Sequence, residues 1–352
     1  MSRSASPPKL IVPSPRRDTW MPVDPNATCC ICTVSHAKRS GKSLLSRARD
    51  GTCARHRDAA VWLRIARAKN GLIGLVVDGH RLSSELGSGG SGVVFRAICD
   101  ESEACIAVKV LRSKHSSESD AGKRFLREAT LEDLRHPNIV EVRSAGFLTD
   151  PSNGRSRPYL TMELLRGESL DERIERDGAQ AIGDTVRIIG EVLDGLSAAH
   201  EAGVVHRDVK PANVFLSREG DAPEVAKLLD FSVARVAAAA GATVTATGDI
   251  VGTPLYLAPE QATGVKGQDE RVDLWAAGVL LYQMLTGQPP FATQQLAELI
   301  LKIVSENPPP PTELRPEIPA ALEAVVQRAL RKPVAERFTS AREMAAALRS
   351  CV

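Results

Sequence analysis

No stretch of this 352-residue chain approaches the roughly 20 consecutive apolar residues that a membrane-spanning helix needs. The longest candidate, Gly71-Leu-Ile-Gly-Leu-Val-Val77, is about a third of that length. The opening Met1-Ser-Arg-Ser-Ala-Ser-Pro-Pro8 has no apolar segment of the secretory kind, and a cytoplasmic setting is expected. An even cysteine framework is missing too. Seven cysteines, unevenly spread, argue against a disulfide scaffold. Acidic residues are scarce at one end: residues 1–80 hold 14 of the 45 Lys/Arg but only 5 of the 43 Asp/Glu. A basic head therefore precedes an acidic body, under a net charge of only +2. Such a head can touch nucleic acid or an anionic surface, but a solvated, partly flexible head is the simpler reading. There is no internal repeat.

What is present fits a globular protein. Apolar residues make up 43% and charged residues 25%, a profile that excludes wholesale disorder, and the length suits two or three packed units. Residues 1–28, rich in Pro, Ser and Arg, read as a disordered leader. Residues 29–79 form a basic extension holding four of the cysteines, with a short amphipathic helix expected over Arg57–Lys69. Past His80 the pattern turns strand-rich: Arg81–Leu86, Val93–Ile98, Cys105–Leu111, Ile139–Phe147 and Tyr159–Leu164 read as strands, and Lys123–Leu134 as a helix. From Ser169 onward helices dominate, over Asp184–Ala202, Val272–Leu285, Leu296–Val304 and Ala320–Leu330. The expected fold is α+β: a small β-rich lobe (about 80–165) followed by a larger helical lobe (about 166–350).

Three motifs carry chemistry. The first is Leu86-Gly-Ser-Gly-Gly-Ser-Gly-Val-Val94, whose Gly87-x-Gly89-x-x-Gly92 spacing lets backbone N–H groups close over phosphates with no Cβ in the way. Alone it is weak, because dinucleotide-binding folds share the spacing. Those folds continue into a helix, whereas Val93-Val-Phe-Arg-Ala-Ile98 continues as strand, which favours a hairpin over ATP. The second is Ile106-Ala-Val-Lys109, a lysine on an apolar strand that needs phosphate oxygens and a carboxylate partner. Glu128 on the following helix is the candidate partner. The third is Val205-His-Arg-Asp-Val-Lys-Pro-Ala-Asn213, followed by Lys227-Leu-Leu-Asp-Phe231. Asp208 can take the proton of an attacking hydroxyl, and Lys210 can neutralise a transferring phosphoryl group. Asn213 and Asp230 offer hard oxygen ligands to Mg²⁺. Taken singly, each of these is an ordinary charge. Their order makes coincidence negligible.

On these motifs residues 80–350 resemble the eukaryotic-like (Hanks-type) serine/threonine protein kinases, bacterial branch. Further matches are Ala258-Pro-Glu260, Asp273-x-Trp275-x-x-Gly278 and Arg337. The resemblance implies transfer of the γ-phosphoryl group of ATP to protein hydroxyls, with Mg²⁺ or Mn²⁺. It implies that Lys109 binds the α/β-phosphates and pairs with Glu128, that Asp208 is the catalytic base, and that Asp230 binds the metal. The ATP site would be lined by Leu86, Gly87, Ser88, Gly89, Gly90, Ser91, Gly92, Val94 and Ala107. Met162 would be the gatekeeper, and Glu163 and Leu165 would offer backbone groups to adenine. Glu260 and Arg337 would form a buried pair, and Asp273 would brace the catalytic loop. Lys210, and Thr253 in Gly252-Thr-Pro254, point to Ser/Thr specificity. The rival reading is a pseudokinase scaffold that binds nucleotide or partners without catalysis. It needs a missing catalytic group, yet Lys109, Asp208, Asn213 and Asp230 are all present.

Two departures stand out. Ser232 replaces the glycine usual after Asp-Phe, and if φ is positive there the serine costs about 1–3 kcal/mol. The interval from Glu128 to Leu134 is one residue shorter than usual, which makes Glu132, four residues on along one helical face, the fallback partner for Lys109. Between Asp230 and Glu260 an Ala/Thr-rich stretch reads as an activation loop, phosphorylated on Thr245 or Thr247 and drawn to Arg207. Self-association would permit that phosphorylation in trans. Ahead of the kinase-like region, Cys29-x-x-Cys32 and Cys53-x-x-His56 have the spacing of a four-ligand Zn²⁺ site, with Cys30 and His36 as substitutes. The alternative is loosely reactive thiols in a disordered head.

Overall fold

The computed structural model describes residues 71–351, apart from 90–91, 103, 112–133, 232–253, 266 and 294. The expectations placed on residues 1–70 lie outside the described residues. So do those on Gly90, Ser91, Glu128, Glu132, Ser232, Thr245, Thr247 and Thr253.

Strands β1 (Val76–Val77), β2 (His80–Ser88), β3 (Gly92–Cys99), β4 (Cys105–Leu111), β5 (Val142–Thr149) and β6 (Ser156–Glu163) form one antiparallel sheet. Their spatial order is β1-β2-β3-β4-β6-β5. The run Cys-Ile-Ala-Val-Lys-Val-Leu makes β4 a central strand, because almost all of it is buried. The sheet starts ahead of His80. Val77 pairs with His80 across a two-residue turn, and Asp78 and Gly79 both have positive φ (47° and 75°). Asp-Gly favours this turn, because both residues tolerate the left-handed region and its twist matches that of the strands. Leu72, Ile73 and Val77 then bury themselves with Leu82, Phe95 and Val108.

One strand differs from its sequence pattern. The apolar run from Ile139 joins the sheet only at Val142, and Ile139 instead bridges Leu228 in parallel. Asn138 explains the difference: its carbonyl accepts from Leu228 N (2.9 Å), and its Nδ2 donates to Ala226 O (3.0 Å). Periodicity marks Ile139 as buried but not which lobe buries it.

The large lobe opens with helix α1 (Leu170–Asp177), started by a reciprocal capping box in which Ser169 Oγ accepts from Glu172 N and Glu172 Oε2 accepts from Ser169 N. Helix α2 (Ile182–Glu201) and the short α3 (Pro259–Ala262) precede the central α4 (Arg271–Thr286). Helix α4 is buried on every face from Val272 to Tyr282, as befits a segment apolar all round. A Cβ on Gly278 would lie 2.7 Å from that of Ala329, so this glycine sets how closely the helix Ala320–Ala329 approaches. A small antiparallel sheet of β7 (Gly167–Ser169), β8 (Val214–Ser217) and β9 (Val225–Leu228) packs against α1. Arg337, 1% exposed, makes a bidentate pair with Glu260 (2.7 and 2.8 Å) and also donates to Arg331 O, Lys332 O and Arg271 O. A buried guanidinium survives only when so fully satisfied.

Candidate active site

The segment 205–213 is held from below by one carboxylate. Asp273, wholly buried on α4, accepts from His206 N (2.8 Å), Arg207 N (2.6 Å) and His200 Nε2 (2.8 Å). This grip holds Arg207 in a left-handed conformation (φ 65°) that a non-glycine residue seldom adopts. His206 adds a second clamp. Its Nδ1 accepts from Asp208 N (3.3 Å), so the proton sits on Nε2, which donates to Leu229 O (2.7 Å). The chain before Asp230 and the chain before Asp208 are thereby tied to one imidazole. Phe231, also buried, packs on that ring with centroids 4.5 Å apart.

Three polar groups meet at the top of this segment. Lys210 Nζ lies 2.7 and 2.9 Å from the two oxygens of Asp208. Asn213 Nδ2 donates to Asp208 O (2.7 Å) and Asp208 Oδ2 (3.0 Å), which leaves the amide oxygen as a ligand for a cation. The Asp208 side chain is 40% exposed, open to an incoming hydroxyl. Across the cleft, Lys109 Nζ sits 2.5 Å from Asp230 Oδ1 and is almost completely buried. Lys109 thus pairs with Asp230, the nearest carboxylate among the described residues. Asp230 itself has φ 65°, so among residues 229–231 the left-handed backbone falls on the carboxylate.

These atoms suit a Mg²⁺–nucleotide. Among the described residues no three His, Cys, Asp or Glu side chains converge. A divalent cation here would take Asp230 and Asn213 and fill its shell with phosphate oxygens and water, as Mg²⁺ does. In the glycine turn, Gly87 pairs with Val94 and Ser88 with Val93, and Gly89 N donates to Gly92 O. A Cβ at Gly92 would lie 2.3 Å from Val110 O, so the turn sits closely on β4. Val94 pairs with Lys109, and Ala107 with Met162, so the strand after the turn, Lys109 and Met162 are in register on neighbouring strands. Leu86, Met162 and Leu165 are half-buried, and Ala107 is buried.

Sequence reasoning missed several side chains. Lys227 Nζ meets Glu163 Oε1 (2.7 Å), and that oxygen also accepts from Glu141 N (2.8 Å). The Glu163 side chain thus joins β6, the 138–141 loop and β9. Gln261 Nε2 donates to Arg207 O (3.2 Å), and His200 reaches Asp273 from α2. A histidine on an apolar helix face was the one available signal, and its partner is 73 residues away in sequence.

Known proteins agree with this geometry. Residues 80–348 match the protein kinase domain family. Serine/threonine-protein kinase pkn3 of Myxococcus xanthus is 38% identical over 276 residues, 77% of this chain and 49% of that protein. Pkn1 of the same organism is 39% identical over 316 residues, 89% of this chain and 43% of that protein. The second match is longer than the stretch from residue 80 to the end, so it takes in part of the basic extension. The chain spans about half the length of these relatives, or less. Among solved structures, the Mycobacterium tuberculosis PknI kinase domain superposes with a TM-score of 0.60 at 27% identity, covering 79% of this chain and 98% of that one.

Proposed function

This chain belongs to the protein kinase family, and we propose that it transfers the γ-phosphoryl group of ATP to serine and threonine hydroxyls of proteins. The observation that carries the reading is the convergence of Asp208, Lys210 and Asn213 opposite the buried Lys109–Asp230 pair. In this reading Asp208 orients the acceptor hydroxyl and takes its proton. Lys210 spreads the developing charge, Lys109 holds phosphate oxygens, and Asn213 and Asp230 hold the metal. Mg²⁺, or Mn²⁺ in its place, would be held by Asp230 and Asn213 and would supply positive charge to the phosphates. The backbones of Glu163 and Leu165 face adenine, between the gatekeeper Met162 and the glycine turn. Glu128 supplies a carboxylate to Lys109 when Asp230 turns to the metal. The reaction belongs in the cytoplasm, where ATP is abundant. The full chain, given γ-labelled ATP, Mg²⁺ or Mn²⁺ and a general protein substrate, should label serine and threonine. No label on itself or on the substrate would sink the reading.

Activity is set by the segment around Thr245 and Thr247. Arg207 supports this: its Nε is buried and meets no partner among the described residues, as suits a cation awaiting a phosphate. Copies of the chain phosphorylate one another there. Replacing both threonines with alanine should lower kcat several-fold, with phosphate absent from the segment by mass spectrometry. Full activity in the double variant would show that this segment is not the switch.

The extension is proposed to carry one structural Zn²⁺ on Cys29, Cys32, Cys53 and His56. Its sequence spacing supports this. Elemental analysis should find about one equivalent of zinc per chain, lost with Cys29→Ser and Cys32→Ser. Metal-free protein, whose cysteines react as fast as those of a denatured chain, would leave only free thiols.

A further inference from the structure

The Asp78-Gly79 turn places a carboxylate against strands that are remote from it in sequence. Asp78 Oδ1 accepts from the Tyr159 hydroxyl (2.7 Å), and Asp78 Oδ2 accepts from Ser144 Oγ. Ser144 Oγ is in turn 2.7 Å from Thr161 Oγ1. The carboxylate has no proton to give, so the direction of the chain is fixed: Thr161 donates to Ser144, and Ser144 donates to Asp78. Burial, and then the Asp78 carboxylate, raise the Tyr159 phenol above the usual tyrosine range, so it stays a donor. Gly146 makes room for this contact, since a Cβ there would lie 2.7 Å from the Tyr159 hydroxyl oxygen. Around the polar cluster, Leu72, Ile73 and Val77 pack on Leu82, Phe95 and Tyr159. Residues 71–79 therefore form a strap across one face of the small lobe.

The end of this chain matters. Thr161 is only 2% exposed, pairs with Val108 on β4 and immediately precedes Met162 and Glu163. Ser144 opposes Thr161 on β5, just past the register shift between Val142 and Ser144. An irregular pairing leaves the strand free to slide unless side chains fix it. We propose that Asp78 is a positioning residue for the nucleotide site. Through Ser144 and Thr161 it fixes β6 where that strand meets adenine, so the strap that joins the basic extension to the kinase fold bears on ATP affinity.

This rests on the kinase reading, and the test separates the two. Asp78→Gly keeps the turn, because glycine adopts positive φ freely, and removes only the carboxylate. Ser144→Ala cuts the chain at its middle. Tyr159→Phe removes the other contact of Asp78 and leaves the chain intact. In the 352-residue chain, Asp78→Gly and Ser144→Ala should each raise the KM and Kd for Mg·ATP about three- to tenfold, the effect of roughly one net hydrogen bond. The double variant should be no worse than either single change, with kcat at saturating ATP within about twofold. Tyr159→Phe should leave ATP affinity unchanged. Hydrogen exchange at the amides of 161–165 should quicken in the first two variants and not in the third. Wild-type ATP affinity in Asp78→Gly, or additive losses in the double variant, would overturn the proposal. So would an equal loss in Tyr159→Phe, which would mark the strap as a general support. A wild-type chain that binds no Mg·ATP would sink the kinase reading instead.

Discussion

Asp208→Asn should lower phosphoryl transfer by about a thousandfold while ATP still binds with near-normal affinity. The two halves of this expectation come from different parts of the geometry. Asn has nearly the shape of Asp, and Asn213 Nδ2 keeps its bond to the backbone oxygen of residue 208. What is lost is the carboxylate that, among the described residues, is both exposed to an incoming hydroxyl and held by Lys210. An amide cannot take the hydroxyl proton, and it leaves the Lys210 charge without its partner. Nucleotide affinity should survive, because Lys109 and Asp230 pair with each other across the cleft and not with Asp208. Single-turnover transfer, beside calorimetric titration with Mg·ATP, measures the two halves separately. Retention of more than about a tenth of the wild-type rate would remove Asp208 from the role of base, since such a base contributes at least about a hundredfold.

The chemistry was legible in the sequence because it is written in short windows. Asp208, Lys210 and Asn213 fall within six residues, and their contacts form inside that window. The strand carrying Lys109 announced itself in the same way, as an apolar run from Cys105 to Leu111 interrupted by one charge. What holds these groups in place was less legible in short windows. Asp273, which reaches this segment across more than sixty positions, was expected as its brace only through the family resemblance, and Lys227 reaches Glu163 across 64 with no such pointer. Nothing local distinguishes Lys227 from a surface lysine until both strands are in place. The strap had a local signal that went unread: Val77-Asp78-Gly79-His80 is a tight hairpin by composition alone, which places the first strand ahead of His80. Lys109 meets Asp230 among the described residues, and the expected pairing with Glu128 lies outside them. A lysine this deeply enclosed takes the carboxylate its surroundings present, and among the described residues that is Asp230.

Asp273→Ala should reduce kcat about a hundredfold and lower the melting temperature by about 10 °C. The side chain lies at zero exposure and accepts three hydrogen bonds, two of them from consecutive backbone N–H groups. Its removal leaves His206 N, Arg207 N and His200 Nε2 facing a cavity. Each orphaned donor costs about 1–3 kcal/mol, and the backbone of Arg207 at φ 65° stores roughly 1–3 kcal/mol more. With the grip gone, that strain is released by rotation of the peptide next to Asp208. Asp208 moves from its place beside Lys210, and a displacement of even 1 Å costs about two orders of magnitude in rate. Asp273→Asn should be milder in both respects, since the amide oxygen still accepts one backbone N–H while its NH₂ opposes another donor. Affinity for Mg·ATP should stay within about threefold in both variants, because Asp273 contacts neither Lys109 nor β6. The order wild type, Asn, Ala in both kcat and melting temperature is the signature of a strained loop held by one carboxylate. An Ala variant that melts early yet turns over at the wild-type rate would show that Arg207 holds its conformation without help from α4.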